Sequence, residues 1–174
     1  MNIEDFNELL HGTLDDDFIV LFAGEAPPSE GEIQKYSQSI DCSFPKDFTC
    51  LLSSYLNGFY VEAKEEVWPR KEGGAYWMFQ YALIVYGLDS GLPDWVNMRD
   101  YVQKFRLKHN TDLTPFMRTI SSSEPYCFTK EGKIVKWCND TGASNPVNAS
   151  FFETFKRELY DLKAFKNEAK RKLV

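Results

Sequence analysis

Histidine is nearly missing from this chain. His11 and His109 stand far apart in 174 residues, each alone. No HxxxH, HxH or mixed Cys/His spacing exists, so an imidazole-ligated metal centre is not indicated. Cysteine is scarce as well: Cys42, Cys50, Cys127 and Cys138 include no CxxC pair. They read as small buried hydrophobes or idle thiols in a reducing compartment. The GxSxG elbow and the GxxxxGK[ST] phosphate loop are absent, which removes the two commonest local signatures of nucleophilic and phosphoryl chemistry. Lysine and arginine are missing from the first 34 residues, which hold nine acids. The longest strongly apolar runs, FIVLFA and YALIVYG, are far short of the ~20 residues of a membrane span. The opening MNIEDFNELL is acidic, with no basic-plus-apolar leader, and the expectation is a cytoplasmic protein without a membrane partner.

What is present is apolar and acidic. Hydrophobic residues make up 43% and aromatics 16%, enough for a packed core. The net charge is −6. The last twelve residues, KAFKNEAKRKLV, carry five bases and one acid, so residues 1–162 sum to −10. Such a body repels phosphate backbones and attracts basic proteins, so nucleic acid is not expected as a partner. The basic tail reads as a solvated helix end whose cations sit near the negative end of the helix dipole.

Periodicity predicts the elements. NIEDFNELLHG is a short amphipathic helix stopped at Gly12. DFIVLF is a strand or a buried connector. Ser29 and Glu32 form a capping box opening a helix with Ile33, Tyr36 and Ile40 on one side. Pro45 starts a second helix with Phe48, Leu51, Leu52 and Tyr55 on a face, ended by Asn57-Gly58. From Phe59 the period becomes two, placing Phe59, Val61, Ala63 and Val67 opposite Tyr60, Glu62, Lys64, Glu66 and Trp68, with a bend or strand end near Glu65. KEGG turns into one or two strands within AYWMFQYALIVYGLD. A helix follows from about Pro93 with Trp95, Met98, Val102 and Phe105 in register. PFMRTI, PYCFT and GKIVKWC are strands, the last two joined by Lys130-Glu131-Gly132. With that turn centred on Glu131, Cys127 faces about Val135, so no disulfide to Cys138 follows. Ser121-Ser122-Ser123 is a loop. A long closing helix carries Phe151, Phe155, Leu159 and Leu162 on its apolar seam. The fold class is α+β: a single domain over residues 1–174, with a mostly antiparallel sheet packed by N-terminal helices, an inserted helix and the C-terminal helix. Its core spans about 18–165, and 166–174 is a basic helix end open to fraying.

The stretch Ser54–Arg70 clusters Glu62, Glu65 and Glu66. On a continuous strand, Glu62 and Glu66 would lie ~13 Å apart, beyond the ~5–9.5 Å that paired carboxyls need in glycoside hydrolysis. Glu65 and Glu66 point to opposite faces. A catalytic role is disfavoured, and no cofactor is called for.

The order of the motifs resembles the SUKH superfamily and, within it, the Smi/Knr branch. The matching pieces are the capped helix Ser29–Ile40, Phe44-Pro45-Lys46-Asp47-Phe48, Asn57-Gly58, and Glu66-Val67-Trp68-Pro69. Weaker pieces follow in order: Val85-Tyr86-Gly87, Tyr126-Cys127-Phe128 with Gly132-Lys133-Ile134-Val135, and Phe151-Phe152-Glu153. The resemblance implies an α+β module that recognises proteins and performs no chemistry. Bacterial members are largely immunity proteins of polymorphic toxin systems, and fungal relatives act as regulatory scaffolds of cell-wall assembly. A cognate toxin domain with a basic surface, such as a nuclease, is the expected partner; a regulatory scaffold is the alternative. The expected contact face is Tyr60, Glu62, Lys64, Glu66 and Trp68, with Tyr and Trp as anchors. An edge strand beginning near Tyr60 would also offer pairing to a second copy, a homodimer.

Overall fold

A computed structural model describes residues 2–22, 26–68, 82–89, 91–118 and 124–173. The element order is α1 (Ile3–Thr13), β1 (Phe18–Phe22), α2 (Glu30–Ser39), α3 (Lys46–Leu52), β2 (Phe59–Ala63) and β3 (Ala82–Val85). It continues with α4 (Met98–His109), β4 (Thr114–Arg118), β5 (Pro125–Phe128), β6 (Ile134–Trp137), β7 (Ser144–Val147) and α5 (Phe151–Arg171). Among the described residues the seven strands form one antiparallel sheet in sequence order, so every strand pairs with its neighbour along the chain. The α+β single domain follows from that meander and its helical cover.

The helices close their own ends. Asn2, Ser29 and Ser150 each form a capping box, with Asp5, Glu32 and Glu153 reaching back to the cap. Phe151, Phe155, Leu159 and Leu162 of α5 are fully buried against the sheet. Around them the rings interlock: Phe48 lies 5.0 Å from both Phe128 and Phe151, and Phe116 stacks on Phe128 at 4.0 Å. Each such ring contributes roughly 1.5–3 kcal/mol of burial. On the other side of the sheet α4 packs Phe105 against Cys127, Val135 and Trp137. Cys127 does face Val135 in the β5–β6 register.

Several expectations need correction. Gly12 lies inside α1, which ends at the extended Leu14. Asn57-Gly58 does not cap α3, which ends at Leu52; it forms the turn into β2, with Gly58 at φ 74°. α4 starts at Met98 with Asn97 as its cap, because Pro93–Asn97 forms a separate turn with Val96 and Asn97 both bonded to Pro93 O. Tyr55 is 49% exposed rather than part of the α3 core face. β7 is not legible in the sequence because Ser-Asn-Pro-Val has no apolar alternation, a single β-former and a proline. β2 is not an edge: β1 covers one side and β3 the other, so a homodimer through β2 has no free edge to use. The basic tail is not wholly solvated either, since Lys166 is 1% exposed. The KEGG turn, most of AYWMFQYALIVYGLD and Ser121–Ser123 lie outside the described residues.

Candidate partner-binding surface

The sheet's two edges differ. β7 is polar and carries Pro146, which lacks the N–H that a joining strand would need. β1 is wholly apolar, Phe-Ile-Val-Leu-Phe, and pairs only with β2 among the described strands. The Lys64 N–H donates to Asp17 O at 2.8 Å, which sets the phase of the β1–β2 ladder. Residues 17, 19 and 21 therefore turn their backbone groups to β2, and Phe18 and Val20 turn theirs outward.

Register also sorts the side chains. Ile19 lies opposite Glu62, and Leu21 opposite Tyr60, so these four share one face. Phe18, Val61 and Ala63 face the helices and are buried. Ile19 is 38% and Leu21 48% exposed, an uncovered apolar pair beside the edge. Trp95, from the turn before α4, is 38% exposed and meets Tyr60 edge-on at 5.3 Å. Beneath it Tyr60 is 6% exposed and donates its hydroxyl to Glu62 Oε2 at 2.7 Å.

The five residues expected to form one face are therefore divided. Tyr60 and Glu62 stay together on the open face, with Tyr60 a buried support rather than an exposed anchor. The strand ends at Ala63, as the break at Glu65 suggested. Lys64 leads into a turn in which its carbonyl accepts from Val67 and Trp68, leaving Glu65 and Glu66 exposed. Trp68 leaves that face: half-buried, it stacks on Phe165 of α5 at 6.3 Å. Ile19, Leu21 and Trp95 were missed as surface residues. A strand apolar at every position reads as buried on both faces, and nothing local marks which side lacks a cover. Glu65 and Glu66, exposed in a turn, lack the burial that prepares a carboxyl for acid–base work. Among the described residues no three His, Cys, Asp or Glu side chains are grouped to hold a metal ion, and no helix is long and apolar enough to cross a membrane.

Other motif residues lie elsewhere and are occupied by the frame. Asp47, 9% exposed, accepts from Phe48 N and Phe152 N at 3.0 Å each, tying α3 to the start of α5. Asn57 Oδ1 accepts from Leu88 N at 2.7 Å. A Cβ on Gly87 would lie 2.4 Å from Gly58 N, so the two glycines let these segments touch. Gly132, at φ +75°, lets the β5–β6 hairpin approach Ser43, whose O would lie 2.4 Å from a Cβ there. A family model for SMI1 / KNR4 (SUKH-1) matches residues 27–157, three quarters of the chain. The chain belongs to the SMI1 / KNR4 family. No curated protein matches it. In this SUKH-1 member the motif residues just described make backbone hydrogen bonds and close approaches within the frame. They leave the open β1–β2 face unspecified.

Proposed function

We propose that this SUKH-1 protein is a non-enzymatic immunity protein, which binds a cognate toxin domain in the cytoplasm and blocks it. The observation that carries this reading is the exposed apolar pair Ile19 and Leu21, with Glu62 beside Ile19, Trp95 over Tyr60, and Glu65 and Glu66 exposed in the turn that follows β2. An apolar centre with a charged rim is the anatomy of a specific protein interface. The acid-rich body favours a toxin with a basic surface, such as a nuclease, through electrostatic steering. Within this surface Ile19, Leu21 and Trp95 act as contacts, Tyr60 holds Glu62 and supports Trp95, and Lys64 and Glu66 border the site. Trp68, turned toward Phe165 of α5, is not among the contacts.

The test is co-expression with the toxin encoded beside this chain. Survival of cells that the toxin alone kills supports the reading. Continued killing, with the chain well expressed, overturns it. Stable binding of a cell-wall regulatory protein without any protection would favour the scaffold role instead.

A further inference from the structure

The two edges of the sheet are guarded unequally. β7 is polar and interrupted by Pro146, whereas β1 holds no proline, no glycine and no charge within the strand. An apolar edge without such devices is a template for another strand. Among the described residues β1 has a neighbour on one side only, β2. The phase of that ladder turns the backbone groups of Phe18, Val20 and Phe22 to the other side.

The strand is also close to a palindrome. Phe18-Ile19-Val20-Leu21-Phe22 reads alike from either end, with Val20 at its centre. A twofold contact requires this, because residue i then meets j and j meets i. Antiparallel pairing of two copies about Val20 sets Phe18 opposite Phe22, Ile19 opposite Leu21 and Val20 opposite its own copy. The outward-turned residues 18, 20 and 22 then form the hydrogen-bonded pairs. Ile19 and Leu21 fall in the pairs between them, where side chains approach most closely. These are the exposed apolar side chains of the open face, so the two copies cover each other's.

Charge selects the direction. Asp15, Asp16 and Asp17 lead into β1. A parallel pair would set these acids side by side. In the antiparallel register the two copies of Asp17 stand six positions apart, about 20 Å at ~3.4 Å per residue. Lys166 and Lys170 also hold α5 at this entry, so the two helix ends lie at opposite ends of the paired strands.

We propose that β1 pairs antiparallel with β1 of a second copy, centred on Val20, and so joins two sheets into one. The inference concerns the strand's edge and does not rest on the toxin reading. Five paired residues make a small contact, so the dimer is weak and concentration-dependent, with a Kd of roughly micromolar order.

The test is sedimentation velocity of the full chain, without toxin, from about 1 to about 300 µM. A reversible shift from monomer to dimer is expected. Ile19→Lys/Leu21→Lys sets lysine opposite lysine twice and should weaken the dimer at least roughly tenfold. Ile19→Lys/Leu21→Glu removes the same two apolar side chains but sets opposite charges across the axis. It should dimerise at least roughly fivefold more tightly than the double-lysine chain. Both positions are exposed, so both variants should keep the parent's circular dichroism. A parent that stays monomeric throughout overturns the proposal, as does a dimer that both variants weaken equally or leave intact. Hydrogen exchange then assigns the edge. Phe18 and Val20 amides already protected in the monomer mean that the chain covers its own edge, and protection gained only on adding toxin means that a toxin strand takes it.

Discussion

Lys166, near the end of α5, is 1% exposed and reaches Asp15 at 2.8 Å across 151 residues of sequence. The same ammonium meets Asp17 at 3.0 Å and lies 5.0 Å from the centre of the Phe18 ring. Lys170 adds a second contact to Asp17 at 2.8 Å. The C-terminal helix is thereby pinned to the entry of the edge strand β1.

The asymmetry of this network gives the first prediction. Asp15 keeps 46% of its side chain exposed, so losing the lysine leaves carboxylates that water can reach. Losing both acids leaves a buried cation without a counter-charge. Lys166→Met should cost less than about 1.5 kcal/mol, and Asp15→Asn/Asp17→Asn about 2–4 kcal/mol. Urea unfolding of both variants checks the order, and a costlier lysine variant would contradict it.

The same groups set a pH dependence. Burial pushes the Asp15 carboxyl up, but hydrogen bonds from Lys166 and the Asp17 backbone outweigh it and hold it below its usual 3.8. Hydrogen bonds from Lys170 and Lys166 hold Asp17 below 3.8 too. A depressed carboxyl contributes stability that is present above its unfolded value and lost as pH falls through its folded value. Burial pulls Lys166 down, yet its bonds to Asp15 and Asp17 raise it above 10.5, so this part of the stability is full below 10.5 and is lost as pH rises from there through the raised value. Urea midpoints should hold on the alkaline side up to about pH 10 and fall below about pH 4. The acid-side fall should be shallower in Asp15→Asn/Asp17→Asn.

Gly132→Ala tests the hairpin anchor. The new Cβ would be forced into a left-handed backbone and against Ser43 O. A loss of about 2 kcal/mol or more is expected in thermal or urea unfolding.

On the open face, Ile19→Asp and Leu21→Asp should leave stability within about 1 kcal/mol of the parent, since both side chains are already exposed. If they meet the toxin, each should weaken neutralisation at least ~30-fold. Binding titrations beside an unfolding curve separate the two effects.

Glu65→Lys/Glu66→Lys should act differently. Rim charges steer the encounter, so the association rate should drop and its salt dependence flatten while dissociation changes little. Stopped-flow association at two salt concentrations distinguishes the cases.

Local chemistry was legible along the chain. The Ser29–Glu32 capping box, the Phe151–Leu162 seam, the Cys127–Val135 register and the strand's end after Ala63 all appeared where spacing placed them. Each depends on residues within about one turn or one hairpin of each other, so periodicity suffices. Spacing reads Asn57-Gly58 as the stop of the second helix, whereas it forms the turn into β2, because its partners Leu88 and Gly87 are about thirty residues away.

The amino-acid order by itself determined the family, the α+β class and the acid-rich character, because these rest on short-range pattern and composition. Only the tertiary structure decided which strand is an edge, that Tyr60 is buried under Trp95, that Trp68 turns toward α5, and that Lys166 is interior. Exposure is a property of what another part of the chain covers. Side-chain period states which residues share a face, but not whether that face has a neighbour.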